Sequence, residues 1–263
     1  MLEPEVAFTI SREDRWRIKR ELKAYFRSIF SRAPKSRRIL IFAQGRTGST
    51  LLESLLESTG YFHGKGEVLG APNEKVRFPI AYIKGIARKF ADENVVCHVK
   101  IYQLDHDRIE QGARPVDPRQ FLKAMYDDGW QIIALRRTSK FDHYISGCLA
   151  RARGAYHKRD DRPENTCLII DRAELERGIR NRSALDVKEA EALASIPHKA
   201  IEYERDLATP ELQSATIANL LQSLDLEQRP AKTQLKKIAD RSAVEFIGNY
   251  AEAREWARSV DGA

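Results

Sequence analysis

Cysteine is scarce in this 263-residue chain: Cys97, Cys148 and Cys167 are an odd number, spaced like neither zinc ligands nor a redox pair. A disulfide framework is therefore not expected, and reduced thiols are. Long apolar runs are missing as well. None approaches the roughly 18 residues of a membrane span, and the polar N-terminal stretch has no hydrophobic segment of the secretory kind. A soluble, cytoplasmic protein is expected. The chain has no internal repeat, no low-complexity tract, no zinc-finger spacing and no interleaved aromatic and basic RNA motif. Lys and Arg nevertheless exceed Asp and Glu by 45 to 38, a formal charge of +7, which favours an anionic partner without naming it. The spread of these basic residues along the chain argues against nucleic acid as that partner.

The length suits one α/β domain or two small ones. Apolar, β-branched runs at 38–43 (RILIFA), 95–101 (VVCHVKI), 131–136 (QIIALR) and 199–203 (KAIEY) read as strands. Several are continuous rather than alternating, as in a parallel sheet buried on both faces. Helical segments are expected near 50–58, 74–92, 118–128, 140–156 and 172–195. Asp171 with Glu174 forms a capping-box pattern, and Thr209-Pro210-Glu211 places proline in a first helical turn. The alternation predicts an α/β fold with a central parallel sheet flanked by helices.

Residues 1–37 read as a separate unit ahead of a main domain over 38–263. From Ser11 to about Arg32, the apolar residues Leu22, Tyr25, Phe26, Ile29 and Phe30 fall on one helical face, with Arg and Lys filling much of the rest. Such a helix either packs on its own domain or lies on an anionic membrane, so peripheral membrane contact through 11–32 stays open. Pro34 and the basic residues Lys35, Arg37 and Arg38 form the connection to the first strand.

That strand runs into a polar turn, ILIFAQGRTGSTLLESLL over residues 39–56. A strand that feeds a helix through a glycine-bearing loop aims consecutive backbone N–H groups and the positive end of the helix dipole at one point, which suits phosphate or sulfate. Gly45 and Gly48 permit close backbone approach, Arg46 adds a planar cation, and Thr47, Ser49 and Thr50 add hydroxyls. An ordinary strand-to-helix turn with a solvent-facing arginine is the alternative. The pattern G-x-x-x-x-G-K-[ST] of nucleotide-binding P-loops is not met, because Gly48 follows Gly45 too soon and no lysine precedes Ser49 or Thr50. The usual magnesium arrangement is thus not expected. A phosphate-containing donor that needs no metal fits better.

A second stretch, LRRTSKFDHYISGCLARA over 135–152, follows another strand. Arg136 and Arg137 sit at the strand end and Ser146 within the next helix, a pairing that can hold a second phosphate. A basic helix surface is the alternative.

The two stretches together, GRTGSTLL and LRRTSKFDHYIS, resemble the donor-binding elements of sulfotransferases that use 3′-phosphoadenosine 5′-phosphosulfate, especially the bacterial carbohydrate type that includes nodulation-factor and trehalose sulfotransferases. GEVLG at 66–70, VKIYQL at 99–104, ARARGAYH at 150–157, IEYERDLATP at 201–210 and IGNYAEA at 247–253 fall in the family's order. The resemblance covers most of the chain from residue 38 onward, although only the two donor loops are specific singly. It implies a three-layer fold related to P-loop kinases, with the donor across the C-terminal ends of the sheet. Arg46, Thr47, Gly48, Ser49 and Thr50 would hold the 5′-phosphosulfate. Arg137, or Arg136 in its place, would hold the 3′-phosphate with Ser146; the interval from Arg137 to Ser146 is one residue longer than usual, so both arginines stay open. Lys236 and Lys237 match basic donor contacts loosely.

The family's chemistry requires a base beside the acceptor hydroxyl. Glu67, after the short loop HGKGE, resembles the glutamate of bacterial members, and His98 corresponds to a histidine that other branches carry on the central strand. Lys100 shares a strand face with His98 and can contact the transferring sulfuryl group. Residues 151–195 read as an acceptor-side cover, with Tyr156 and His157 placed where related enzymes carry an aromatic and a histidine. The expected acceptor is a hydroxylated small molecule or glycan. The other readings are a P-loop-related nucleotide kinase and a non-catalytic protein that binds anions or a membrane.

Overall fold

A computed structural model describes residues 12–70, 75–152, 167–233 and 243–261. Its centre is a five-stranded, all-parallel sheet in the order β2-β3-β1-β4-β5. The strands are β1 (Arg38–Ala43), β2 (Phe62–Glu67), β3 (Asn94–Lys100), β4 (Gln131–Arg136) and β5 (His198–Glu202). β1 is buried at every position. Its residues Ile39, Ile41 and Ala43 join one apolar cluster, and Leu40 and Phe42 join the other. Burial on both faces is what its unbroken apolar run requires.

Helices α2 (Ser49–Ser58) and α8 (Pro210–Ser223) cover one face through Leu52, Leu55, Leu56, Ile217 and Leu221. The other face carries α3 (Pro79–Lys89), α5 (Pro118–Asp127) and α7 (Arg172–Leu193), through residues such as Ile83, Phe121, Met125 and Leu193. A third cluster ties α6 (Lys140–Ala152) to α7 and to α9 (Tyr250–Asp261), with Phe141, Ile145, Leu175, Ile179 and Ala253 at its centre. The result is the expected three-layer α/β arrangement.

The four anticipated strands are present within one residue at each end. The addition is β2, where a loop was expected. Its sequence FHGKGE has two glycines and little apolar content, so nothing local marks it as a strand. It forms because Glu57 Oε1 accepts the Gly64 N–H at 2.8 Å and Glu53 Oε1 accepts the Gly66 N–H at 2.6 Å, while the other edge pairs with β3. At the end of β3, Ile101 passes into a 3-10 turn, Ile101–Gln103, instead of extending the strand. α3 is shorter than the 74–92 expected because Pro79 starts it at its first turn; residues 71–74 lie outside the described residues, as does the expected extension of α6 to 156. Asp171 and Thr209 cap α7 and α8 as their patterns predict, accepting from Glu174 N at 2.9 Å and Leu212 N at 3.4 Å. The short helix α4 (His106–Glu110) and α9 had not been anticipated.

The N-terminal helix α1 (Arg12–Phe30) packs on α3, but not with the stripe the periodicity suggested. Ala24 and Glu21 are the buried positions and Tyr25 is half-buried, whereas Leu22, Phe26, Ile29 and Phe30 are exposed. The reason is the close crossing. A Cβ on Gly85 of α3 would come within 1.9 Å of the Ala24 carbonyl oxygen, so only small residues fit between the two backbones. Gly85→Ala is therefore expected to destabilise the protein by about 1–3 kcal/mol, since overpacking against backbone outweighs the alanine's helix propensity. The check is a lower urea midpoint; an unchanged midpoint would mean that α1 does not hold this position in solution.

Candidate functional site

β1 ends at Ala43, and residues 44–48 turn the chain into α2 above the C-terminal ends of the strands, the position where open α/β sheets take ligands. Arg46 adopts φ 71° and Gly48 φ 97°. Left-handed backbone at these two positions curls the loop so that successive N–H groups turn toward one point. For Gly48 this costs little; for Arg46 it costs on the order of 1–3 kcal/mol. No side chain caps the start of α2 among the described residues, so its first N–H groups remain for a ligand or water.

Lys100 arrives from the end of β3 on the same side. Its Nζ donates to Ser49 Oγ, and it is buried. A second cation, besides Arg46, thus reaches the loop from the adjacent strand. Burial lowers the Lys100 pKa to about 8; Glu67, Glu53 and Glu189 pull it up, and Arg46 pushes it further down. Thr47 does not present its hydroxyl to the loop's interior: it is buried and donates to the Gln44 carbonyl oxygen at 2.8 Å, closing the turn.

The second arginine-and-serine stretch meets the first loop. Arg46 Nε donates to Ser146 Oγ at 3.4 Å, joining residues 100 positions apart. Arg136 and Arg137 diverge. Arg136 continues the Ile132 and Ala134 face of β4, toward α7, where its charge acts on Glu189. Arg137 lies with its guanidinium 4.8 Å over the Tyr203 ring and its Nε 3.1 Å from Glu204 Oε1. Tyr203 in turn lies against Gly48, where an added Cβ would meet the ring at 2.9 Å. Arg137, not Arg136, is therefore the arginine on the loop's side of the sheet.

Glu67, His98 and Lys100 gather at one point. Gln103 links two of them, accepting from Lys100 N at 2.9 Å and donating to Glu67 Oε1. His98 lies between two carboxylates, its Nε2 3.0 Å from Glu53 Oε2 and its Nδ1 3.9 Å from Glu67 Oε2. The Glu67 side chain is 39% exposed and that of His98 4%, so Glu67 is the base candidate that an acceptor can reach.

Several partners had not been anticipated from sequence. Glu53 lies four residues after Ser49 and three before Leu56 on the buried face of α2, a carboxylate in an apolar stripe and hence a legible signal. Glu189 interrupts the buried face of α7 in the same way, between Leu185 and Leu193. The α7 segment, read as a cover, is tied to the loop itself: Gln44 Nε2 donates to the Arg182 carbonyl oxygen at 3.2 Å and to Asp186 Oδ1 at 2.6 Å. His143 Nε2 lies 2.6 Å from the Gly45 carbonyl oxygen and 2.6 Å from Arg182 Nη1. Burial, reinforced by the Arg182 charge, lowers the His143 pKa to about 2 and keeps the ring neutral. Burial lowers Arg182 itself to about 10. Arg46, Lys100, Arg137, Lys140 and Arg182 thus stand around the loop, with Lys140 paired to Asp186 and Arg137 to Glu204.

Burial raises the Glu189 pKa from 4.5 to about 8, with Asp186 adding to the shift and Arg136, Gln44 and Lys140 opposing it. A raised folded-state value means that the folded protein binds more protons than the unfolded chain between those two values. The stabilisation from neutral Glu189 is full at acidic pH and is lost as the pH rises through about 8. Glu189→Gln keeps a neutral hydrogen-bonding group, so it is expected to flatten this dependence. Unfolding free energies from urea titrations should match the wild type at about pH 4.5 and exceed it at about pH 9 by a few kcal/mol in order of magnitude; equal slopes in both proteins would refute the assignment.

Lys236, Lys237, Tyr156 and His157 lie outside the described residues. Among the described residues, side chains grouped as metal ligands are His106, Asp107 and Glu110 on α4, a largely exposed set separate from the loop. No helix among them is long and apolar enough to cross a membrane. A scan against protein-family models found no match, and neither did a search of curated proteins.

Proposed function

We propose that this chain is a sulfotransferase that moves a sulfuryl group from 3′-phosphoadenosine 5′-phosphosulfate to an acceptor hydroxyl, the acceptor being a carbohydrate or glycolipid. The observation that carries the reading is the Arg46–Ser146 contact, which unites the two stretches that resemble the family's donor loops into one cationic site. The residues present fit the donor's 5′-phosphosulfate, for which the N–H groups at residues 46–50, Arg46 and Lys100 are suited, while the resemblance assigns Arg137 and Ser146 to its 3′-phosphate.

The donor supplies an activated sulfuryl group on a phosphate leaving group. Transfer would form a bond from sulfur to the acceptor oxygen and break its bond to the bridging oxygen, leaving negative charge on the nucleotide phosphate. Arg46, Lys100 and the loop N–H groups stabilise that charge without reorganising, because the fold already holds them in place. Glu67 takes the acceptor proton. His98, Glu53 and Gln103 hold Glu67 and Lys100 in register, while Gly45 and Gly48 leave room for Tyr102 and Tyr203 to pack against the loop.

A nucleotide kinase is less well supported. In a P-loop kinase the hydroxyl at the helix start faces magnesium, whereas here the Ser49 hydroxyl accepts from Lys100.

The direct test is isothermal titration of the protein with 3′-phosphoadenosine 5′-phosphate in the presence of a chelator. Micromolar affinity, about −8 kcal/mol, is expected, weakened about tenfold or more in Arg46→Ala and in Ser146→Ala, since each removes a charge-assisted or directed donor. Failure of the folded wild-type protein to bind would remove this reading and leave the loop to another anion.

A further inference from the structure

From the placement of α1 we infer that its outward face binds the surface of an anionic lipid bilayer. The helix has two faces. The inner one is narrow: Ala24 crosses Gly85, and Glu21 accepts from the Arg77 N–H at 2.5 Å and from the Tyr25 hydroxyl, which itself accepts from Phe78 N at 2.9 Å. These contacts, with Tyr25 packed on the core and against Phe78, attach the helix to the domain without Leu22, Phe26, Ile29 or Phe30.

Those side chains point away. Leu22 is 59% exposed, Phe26 64%, Ile29 72% and Phe30 70%. With Ile18 they form a stripe about 120° wide along a helix of 19 residues, about 28 Å in length. A soluble monomer seldom leaves so continuous an apolar row uncovered.

Charge selects the occupant. Between Arg15 and Arg38 the one acidic residue is Glu21, and it is buried against α3. Lys19 and Lys23 are exposed, and Arg27 is half-buried. At about 100° per residue Lys19 falls within the stripe, Lys23 just past its edge and Arg27 farther round. Their aliphatic stems can lie with Leu22 and Phe26 at the acyl boundary while their charges reach lipid phosphates. Trp16, 58% exposed with the Arg20 guanidinium 4.7 Å over its ring, adds an aromatic of the kind that sits at such interfaces. A second copy of the same face would set cations against cations, so lipid anions match this surface better than self-association does.

The test is co-sedimentation of the full chain with phosphatidylcholine vesicles and with vesicles that also contain phosphatidylglycerol. Binding to the anionic vesicles alone is expected, with release at high salt. Phe26→Glu with Ile29→Glu should weaken it about tenfold or more, and Lys19→Gln with Lys23→Gln should weaken it and reduce its salt dependence. All four positions are exposed, and the wild-type melting temperature verifies each fold; if the glutamate pair fails that control, Ile29→Asn takes its place. The inference is overturned if the folded wild type ignores anionic vesicles, or if the apolar variants bind them as well as the wild type does. It is also overturned if sedimentation equilibrium finds a dimer that these variants abolish, which would give the face to a second copy. None of these readouts depends on the donor loop, so they stand apart from the sulfotransferase reading.

Discussion

Arg46→Ala is expected to lower the rate of sulfuryl transfer by about a hundredfold or more, the loss typical when one preorganised donor to a developing negative charge is removed. The measurement is the rate of 3′-phosphoadenosine 5′-phosphate formation with an acceptor found by screening. The backbone at residue 46 makes the result sharper. Its φ of 71° is unfavourable for any residue with a Cβ, so alanine inherits the strain and glycine does not. Arg46→Gly should therefore be as inactive as the alanine variant yet more stable than it by about 1 kcal/mol. A residue whose strained placement serves activity rather than folding has that signature. Because Arg46 also contacts Ser146, the double variant with Ser146→Ala should lose less than the two single losses combined. A rate within a few fold of wild type in Arg46→Ala would overturn the role assigned to it.

Glu67→Gln is expected to reduce the rate by about a hundredfold to ten-thousandfold, as loss of a general base does. The amide can still accept from Gln103, and the position is partly exposed, so stability should change little. His98→Asn separates the two base candidates. His98 is buried against Glu53, and removing the imidazole leaves a buried carboxylate without that partner. Its variant should lose stability together with activity. If instead Glu67→Gln keeps its rate and a folded His98→Asn loses it, the proton goes to His98.

The layered architecture was legible because its signals are local. Unbroken apolar runs such as ILIFA and QIIALR imply strands buried on both sides, and Asp171 or Thr209-Pro210 marks a helix start from within a few residues. The loop 44–48 was legible for the same reason, since its glycines, arginine and hydroxyls follow directly on β1. β2 was not legible, because the groups that make FHGKGE a strand are carboxylates on α2 and the edge of β3. Nor could periodicity tell which side of α1 meets the domain: the stripe was found, but the crossing at Gly85 turned it outward.

The sequence by itself determined the α/β class, the positions of four strands, and which polar and basic side chains follow the strand ends. Only the tertiary structure decided that Arg46 meets Ser146, that Arg137 and not Arg136 shares the loop's side, and that Lys100 bonds to Ser49 at the start of α2. It also placed His98 between Glu53 and Glu67. The physical reason is the range of the forces involved. Propensity, capping and hydrophobic period act over a few neighbouring residues, whereas the register of parallel strands brings groups tens of residues apart to one end of the sheet, and burial there sets their charge states.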